Sequence, residues 1–182
     1  MENLASVGDK AAIPTLIEVL KFNNPGAAVA AVEGLVKIGE PAVLPILNNL
    51  DGYNYGARAW ATRALVGIGD PRGLELLLEA AQSDFSLSVR RAAARGLGNI
   101  VWSKLSAETV SPQQETVVKS LLPISEDPEW VVRYAAVVAL QSLALATKSE
   151  NPDLYTSILT RLKTMSQEDS ELAVKALAKM AL

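Results

Sequence analysis

The chain has 182 residues, of which 49% are hydrophobic and only 5% aromatic, and its formal net charge is −3. It contains no Cys and no His, which excludes disulfides, thiolate nucleophiles, histidine bases, zinc clusters and Ser-His-Asp triads within the chain. The charge gives no reason to expect nucleic acid as a partner, and a core of Ala, Leu, Val and Ile suits close-packed helices better than sheets.

The chain opens on Met1-Glu2-Asn3-Leu4, without the basic and apolar regions of a signal peptide. No apolar run reaches about 18 residues without a charge, Gly or Pro, so no membrane span is expected. One cytoplasmic domain over 1–182 is the expectation. Gly8-Asp9, Gly39-Glu40-Pro41 and Gly69-Asp70-Pro71 recur at spacings of 31 and 30 residues, which marks an internal repeat. After each corner comes an amphipathic helix with one buried face: Ile13, Leu16, Ile17 and Leu20; Val43, Ile46, Leu47 and Leu50; Leu74, Leu77, Leu78 and Ala81. Pro41 and Pro71 suit the first helical position, with Glu40 and Asp70 as N-caps.

Polar loops follow at Asn23-Asn24-Pro25-Gly26, Asp51-Gly52-Tyr53-Asn54 and Ser83-Asp84-Phe85-Ser86, each leading into a second helix. Ala28 to Ile38, Arg58 to Ile68, Arg90 to Ile100, Arg133 to Leu143 and Leu172 to Leu182 align as five such helices. The expected architecture is all-α: a solenoid of about five helix pairs at 9–39, 40–69, 70–101, 112–147 and 152–182. Val101 to Ser111 reads as a polar insertion, with Pro112 opening the fourth pair. Leu4-Ala5-Ser6-Val7-Gly8-Asp9 repeats the pattern of Leu65 to Asp70, as though the chain began in the last turn of an upstream repeat. A solenoid end needs a polar cap, so that end is read as either truncated relative to relatives or docked on a partner.

Stacking the second helices predicts rows across a concave face: Glu33, Arg63, Arg95, Val138; Ala30, Trp60, Ala92, Ala135; Val29, Ala59, Arg91, Tyr134. Six of the eight Arg residues lie between 58 and 95. Arg58, Arg90 and Arg133 share one repeat position and are expected to bond a neighbouring repeat's loop, with Asp51, Asp84 and Asp127 as partners or caps. Arg63, Arg91 and Arg95 exceed the repeat rule, and are either a solvated face or a binding site. Trp60 is either core filler or a contact surface, and the same choice is open for Trp102 and Trp130. A basic, aromatic-lined concavity suits a planar anion with carboxylates and suits an acidic protein surface equally well.

The Val/Ala-Arg-x-x-Ala-Ala-x-x-Leu pattern resembles HEAT repeats. Tyr53-Asn54-Tyr55-Gly56-Ala57-Arg58-Ala59, Ser88-Val89-Arg90-Arg91-Ala92-Ala93-Ala94-Arg95-Gly96-Leu97-Gly98 and Trp130-Val131-Val132-Arg133-Tyr134-Ala135-Ala136-Val137 are more specific. They resemble the F-type subunits of the cyanobacterial E/F phycobilin lyase family over nearly the whole chain. That resemblance implies a heterodimer with an E-type HEAT subunit. The pair would attach phycocyanobilin to a cysteine of the phycocyanin α subunit through a thioether, with the bilin as substrate and no cofactor. The missing Cys and His fit an acceptor that supplies the thiol, and speak against the related isomerising lyases, which resemble this family but need a His-Cys pair. On this reading Arg63, Arg91 and Arg95 hold the bilin propionates, and Tyr53, Tyr55 and Trp60 pack on pyrrole rings. Asp51 or Asp84 relays a proton, and Trp102, Trp130 and Tyr134 line the groove or meet a partner. The alternative is a HEAT scaffold or chaperone for phycobiliprotein subunits, without bilin chemistry of its own.

Overall fold

The computed structural model describes residues 8–49 and 54–182. The described residues form ten α-helices and no strand. They fall into five pairs: α1 (Ile13–Val19) with α2 (Pro25–Ile38), α3 (Glu40–Asn48) with α4 (Tyr55–Ile68), α5 (Leu74–Ser83) with α6 (Leu87–Gly96), α7 (Ala107–Ile124) with α8 (Trp130–Thr147), and α9 (Pro152–Glu168) with α10 (Leu172–Met180). The second helices pack in series, α2 on α4, α4 on α6, α6 on α8 and α8 on α10. The first helices form an outer layer, in which α3 meets the third pair through the 3-10 turn Pro71–Gly73. This is the all-α solenoid that the repeat pattern predicts.

Local chemistry starts and stops these helices. Asn24, Asn54 and Asn151 accept from the backbone N–H three residues on, at 3.0–3.1 Å, and so cap α2, α4 and α9. Gly8, Gly39 and Gly69 are the positive-φ residues among those described, at 71°, 74° and 66°. They turn the chain at each corner, where a side chain would be strained. Asp70 caps its corner as expected, but Glu40 is the first residue of α3 and Gly39 takes the cap position.

Two registers differ from the sequence reading. The fourth pair begins at Ala107, and Pro112 lies inside α7. Ser106 starts it instead: its carbonyl accepts from Thr109 N and Val110 N, and its hydroxyl meets that of Thr109 at 3.1 Å. In the last pair Leu172 is the first residue of α10 and matches Trp130, not Arg133, because Asp169 and Asp127 hold the same place in their loops. The upstream-turn reading of the N-terminus rests largely on residues outside those described.

The buried side chains form two clusters. One joins the first two pairs through Leu16, Leu35, Val43, Ile46 and Leu65. The other joins the last three through Leu77, Leu97, Leu121, Leu140, Ile158 and Leu162. Leu76 packs against both. Across this seam α4 and α6 approach closely because position 96 is Gly, and a Cβ there would run into the Val66 side chain. Trp130–Thr147 is long and apolar enough to cross a membrane, but half of it is buried in the protein, between α6 and α10.

Candidate functional site

Two sets of arginines project from the second helices, and they differ in partners. The first set lies four residues into α4, α6 and α8. Arg58 pairs with Asp84 at 2.8 Å, Arg90 with Asp127 at 3.0 Å and Arg133 with Asp169 at 2.8 Å. Each aspartate belongs to the loop of the following repeat. Each also accepts from a backbone N–H two residues on, that of Ser86, Glu129 or Glu171. The loop of the arginine's own repeat contributes carbonyls: Arg90 donates to Asp84 O and Arg133 to Asp127 O, both at 2.9 Å. So the arginines do bond a neighbouring loop: each pairs with the aspartate one repeat onward, and for Arg90 and Arg133 the ion-pair partner is not the aspartate that precedes it, Asp84 and Asp127 respectively. The Arg133 guanidinium holds the Asp169 carboxyl below the usual carboxylate range.

The second set faces a cleft of about 380 Å³ across α4, α6 and α8, a volume in the range of small-molecule sites. Arg63 comes from α4, Arg91 and Arg95 from successive turns of α6, and Tyr134 from α8. Val66, Ala92, Val131, Ala135 and Val138 complete an apolar wall. No carboxylate lines the cleft, and none of the three arginines makes an ion pair with a described residue. Two cations at i, i+4 repel each other, so Arg91 and Arg95 are not explained by helix stability. Concentrated unpaired guanidinium groups beside apolar surface suit a flat ligand with carboxylates.

The other predicted site residues divide between these regions. Arg63 Cζ stands 4.4 Å over the ring of half-buried Trp60, which packs on the N-terminal core cluster. Trp130 meets Tyr134 edge to face at 6.5 Å and supports the cleft from the loop side. Tyr55 is at the loop edge, 4.4 Å from Phe85 in a T-shaped pair, with Arg58 Cζ 5.1 Å from its ring. It does not line the cleft. Both Asp84 oxygens are engaged in the ladder, at 2.8 Å to Arg58 and 2.8 Å to Ser86 N, so that aspartate too stands apart from the cleft. Trp102 lies beyond the other end of α6, packed against the C-terminal core cluster. Asp51 and Tyr53 lie outside the described residues.

Sequence reasoning missed a knot at that far end. Buried Asp70 accepts from Arg72 Nε at 2.7 Å and Lys104 Nζ at 3.0 Å, and Arg72 reaches Glu40 at 3.3 Å. These hydrogen bonds, chiefly that of Arg72, hold the Asp70 carboxyl far below its ordinary value. The signal was the Gly-Asp-Pro-Arg string, read only as a cap. Phe85 was also missed as the ring beside Tyr55. Its exposed position in a loop gives no periodic signal.

Residues 47–141 match the family model described as HEAT repeats. The chain is 54% identical over 179 residues to a phycobilisome maturation protein of Synechococcus elongatus, covering 98% of this chain and 84% of the relative. It is 57% identical over 141 residues to the phycocyanin alpha phycocyanobilin lyase CpcF of a Synechocystis species, covering 78% of this chain and 66% of the relative. The solved complex of CpcE and CpcF of phycocyanin lyase from a Nostoc species contains a chain that superposes with a TM-score of 0.88 at 50% identity. That match covers 95% of this chain and 99% of the solved one.

Proposed function

The chain belongs to the CpcF family of phycocyanobilin lyase subunits, and from that membership we propose that it is the F-type half of a heterodimeric lyase. With an E-type partner it attaches phycocyanobilin to the α subunit of phycocyanin, in the cytoplasm. The step is an addition. The acceptor cysteine's sulfur bonds to the ethylidene carbon of the bilin, a proton goes to the adjacent ring carbon, and nothing leaves. The chain has no Cys, in agreement with a thiol that comes from the acceptor. What a scaffold of this kind supplies is orientation and charge placement.

The observation that carries the reading is the cleft, where three guanidinium groups without acidic partners among the described residues meet an apolar wall and the Tyr134 ring. Arg91 and Arg95 take propionates, Arg63 takes a further carboxylate contact, and Tyr134, backed by Trp130, packs against a pyrrole. Asp84 is withdrawn as the proton relay because both its oxygens are held in the ladder. Asp51 stays as the carboxylate offered by the sequence.

The test mixes the chain with its E-type partner, phycocyanobilin and apo α-phycocyanin. Covalent bilin on the acceptor, which requires both subunits, is the expected result. Bilin binding without transfer would make the chain a scaffold. Wild-type transfer by all three of Arg63→Ala, Arg91→Ala and Arg95→Ala would remove the cleft from the mechanism.

A further inference from the structure

We infer that Trp60 is a positioning residue that acts through Arg63, and not a platform for the ligand; the inference rests on the bilin reading of the cleft. Trp60 and Arg63 stand three residues apart on α4, on one face of the helix. The indole packs on the N-terminal core cluster and carries the Arg63 guanidinium 4.4 Å over its ring. Arg63 lines the cleft and Trp60 does not. The ring surface that a pyrrole would use is therefore already covered by a cation.

The neighbouring repeats sharpen the point. The positions that match Trp60 are Ala92 and Ala135, and both form part of the cleft wall. An indole in either place would fill the cleft. In α4 it stands behind the wall and fixes one guanidinium at its edge. An unsupported arginine samples many rotamers and loses that freedom on binding. Stacking on indole removes part of that loss in advance and leaves the guanidinium edge free to donate. Among the three cleft arginines, Arg63 alone has such a ring contact within the described residues. It is the fixed carboxylate receptor, while Arg91 and Arg95 on the exposed face of α6 adapt to the ligand.

The test is a double-mutant cycle in the reconstituted heterodimer, reading KM for phycocyanobilin and kcat for transfer separately. Arg63→Ala raises KM by roughly tenfold, the order expected for losing a charged hydrogen bond. Trp60→Leu raises it about threefold and Trp60→Phe less, with kcat little changed. In the Arg63→Ala background, neither Trp60 substitution changes KM further. Equal Trp60 effects in both backgrounds would show that the indole meets the bilin directly, and would overturn the inference while leaving the cleft in place. No effect of Arg63→Ala, with loss on Arg91→Ala or Arg95→Ala, would also overturn it. No effect of any of the three arginine variants would instead remove the bilin reading on which it rests. Should Trp60→Leu fail to fold, Trp60→Phe carries the same cycle, and its effect must again vanish without Arg63.

Discussion

The loop-edge ladder and the cleft draw the same residue type from α4 and α6, at positions one to five residues apart. Arg58, Arg90 and Arg133 each have an aspartate of the next repeat within 3.0 Å, while Arg63, Arg91 and Arg95 face a cleft without a carboxylate. Arg90 and Arg91 are adjacent in sequence, yet the first is largely buried against Asp127 and the second is exposed. A rotation of about 100° around a helix axis separates a stitch between repeats from a ligand contact. In a solenoid, the side chains that join repeats recur with the repeat. Those that break the rule are where binding is to be sought.

Substitutions should separate the two regions. The largest effect on stability is expected at the ladder. Arg133→Ala strands the Asp169 carboxylate and removes hydrogen bonds to Asp127 O and Pro128 O, at about 3 kcal/mol. A fall of that size in the unfolding free energy, read from urea titration, would confirm it. Next comes the seam beneath the cleft. Gly96→Ala drives a methyl into Val66, which itself lines the cleft, and overpacking of this kind costs about 2 kcal/mol. Bilin transfer should fall with it, because α4 and α6 carry the cleft arginines. Measuring both shows whether the helix spacing sets the cleft.

Acid provides a smaller and graded effect. Asp70 and Asp169 are held below the ordinary 3.8 in the folded chain and return toward it on unfolding. The unfolded chain therefore takes up protons first as pH falls. The stability these carboxylates give is present above about pH 5 and is lost progressively below about pH 4. Urea midpoints measured at falling pH should drop less steeply for Asp169→Asn than for the wild type. The smallest effect is expected at the cleft itself. Arg95→Ala should change unfolding free energy by no more than about 0.5 kcal/mol, and relief of the repulsion from Arg91 favours the variant. Its transfer activity should nevertheless fall.

Much of this was legible in the sequence. Periodic apolar positions gave the helices, and Gly8, Gly39 and Gly69 gave the corners, because local geometry decides both. The shared position of Arg58, Arg90 and Arg133 gave the ladder, although not the direction of its pairing. Arg90 and Arg133 reach two loops each, and only packing decides that the aspartate of the next repeat forms the ion pair while their own loop supplies carbonyls. Helix α7 was misplaced because Pro112 outweighed the weaker Ser106 signal. Arg63, Arg91 and Arg95 were identified by failing the repeat rule, and Tyr134 followed from the same rows. Tyr55 was drawn to the cleft by its aromatic neighbours in sequence. In the structure it belongs to the loop edge with Phe85, a contact between residues 30 apart in the chain. Trp60 was read from the sequence as a groove contact, whereas in the structure it packs on the N-terminal core cluster under the Arg63 guanidinium and does not line the cleft, an arrangement set by the Arg63 rotamer, which no sequence pattern encodes.

The most direct measurement compares Arg90→Ala with Arg91→Ala, each scored for urea midpoint alone and for bilin transfer with the E-type partner. Arg90→Ala is expected to lower the midpoint strongly, whereas Arg91→Ala keeps the wild-type midpoint and loses most transfer. Wild-type transfer by Arg91→Ala, or a midpoint loss equal to that of Arg90→Ala, would contradict this expectation.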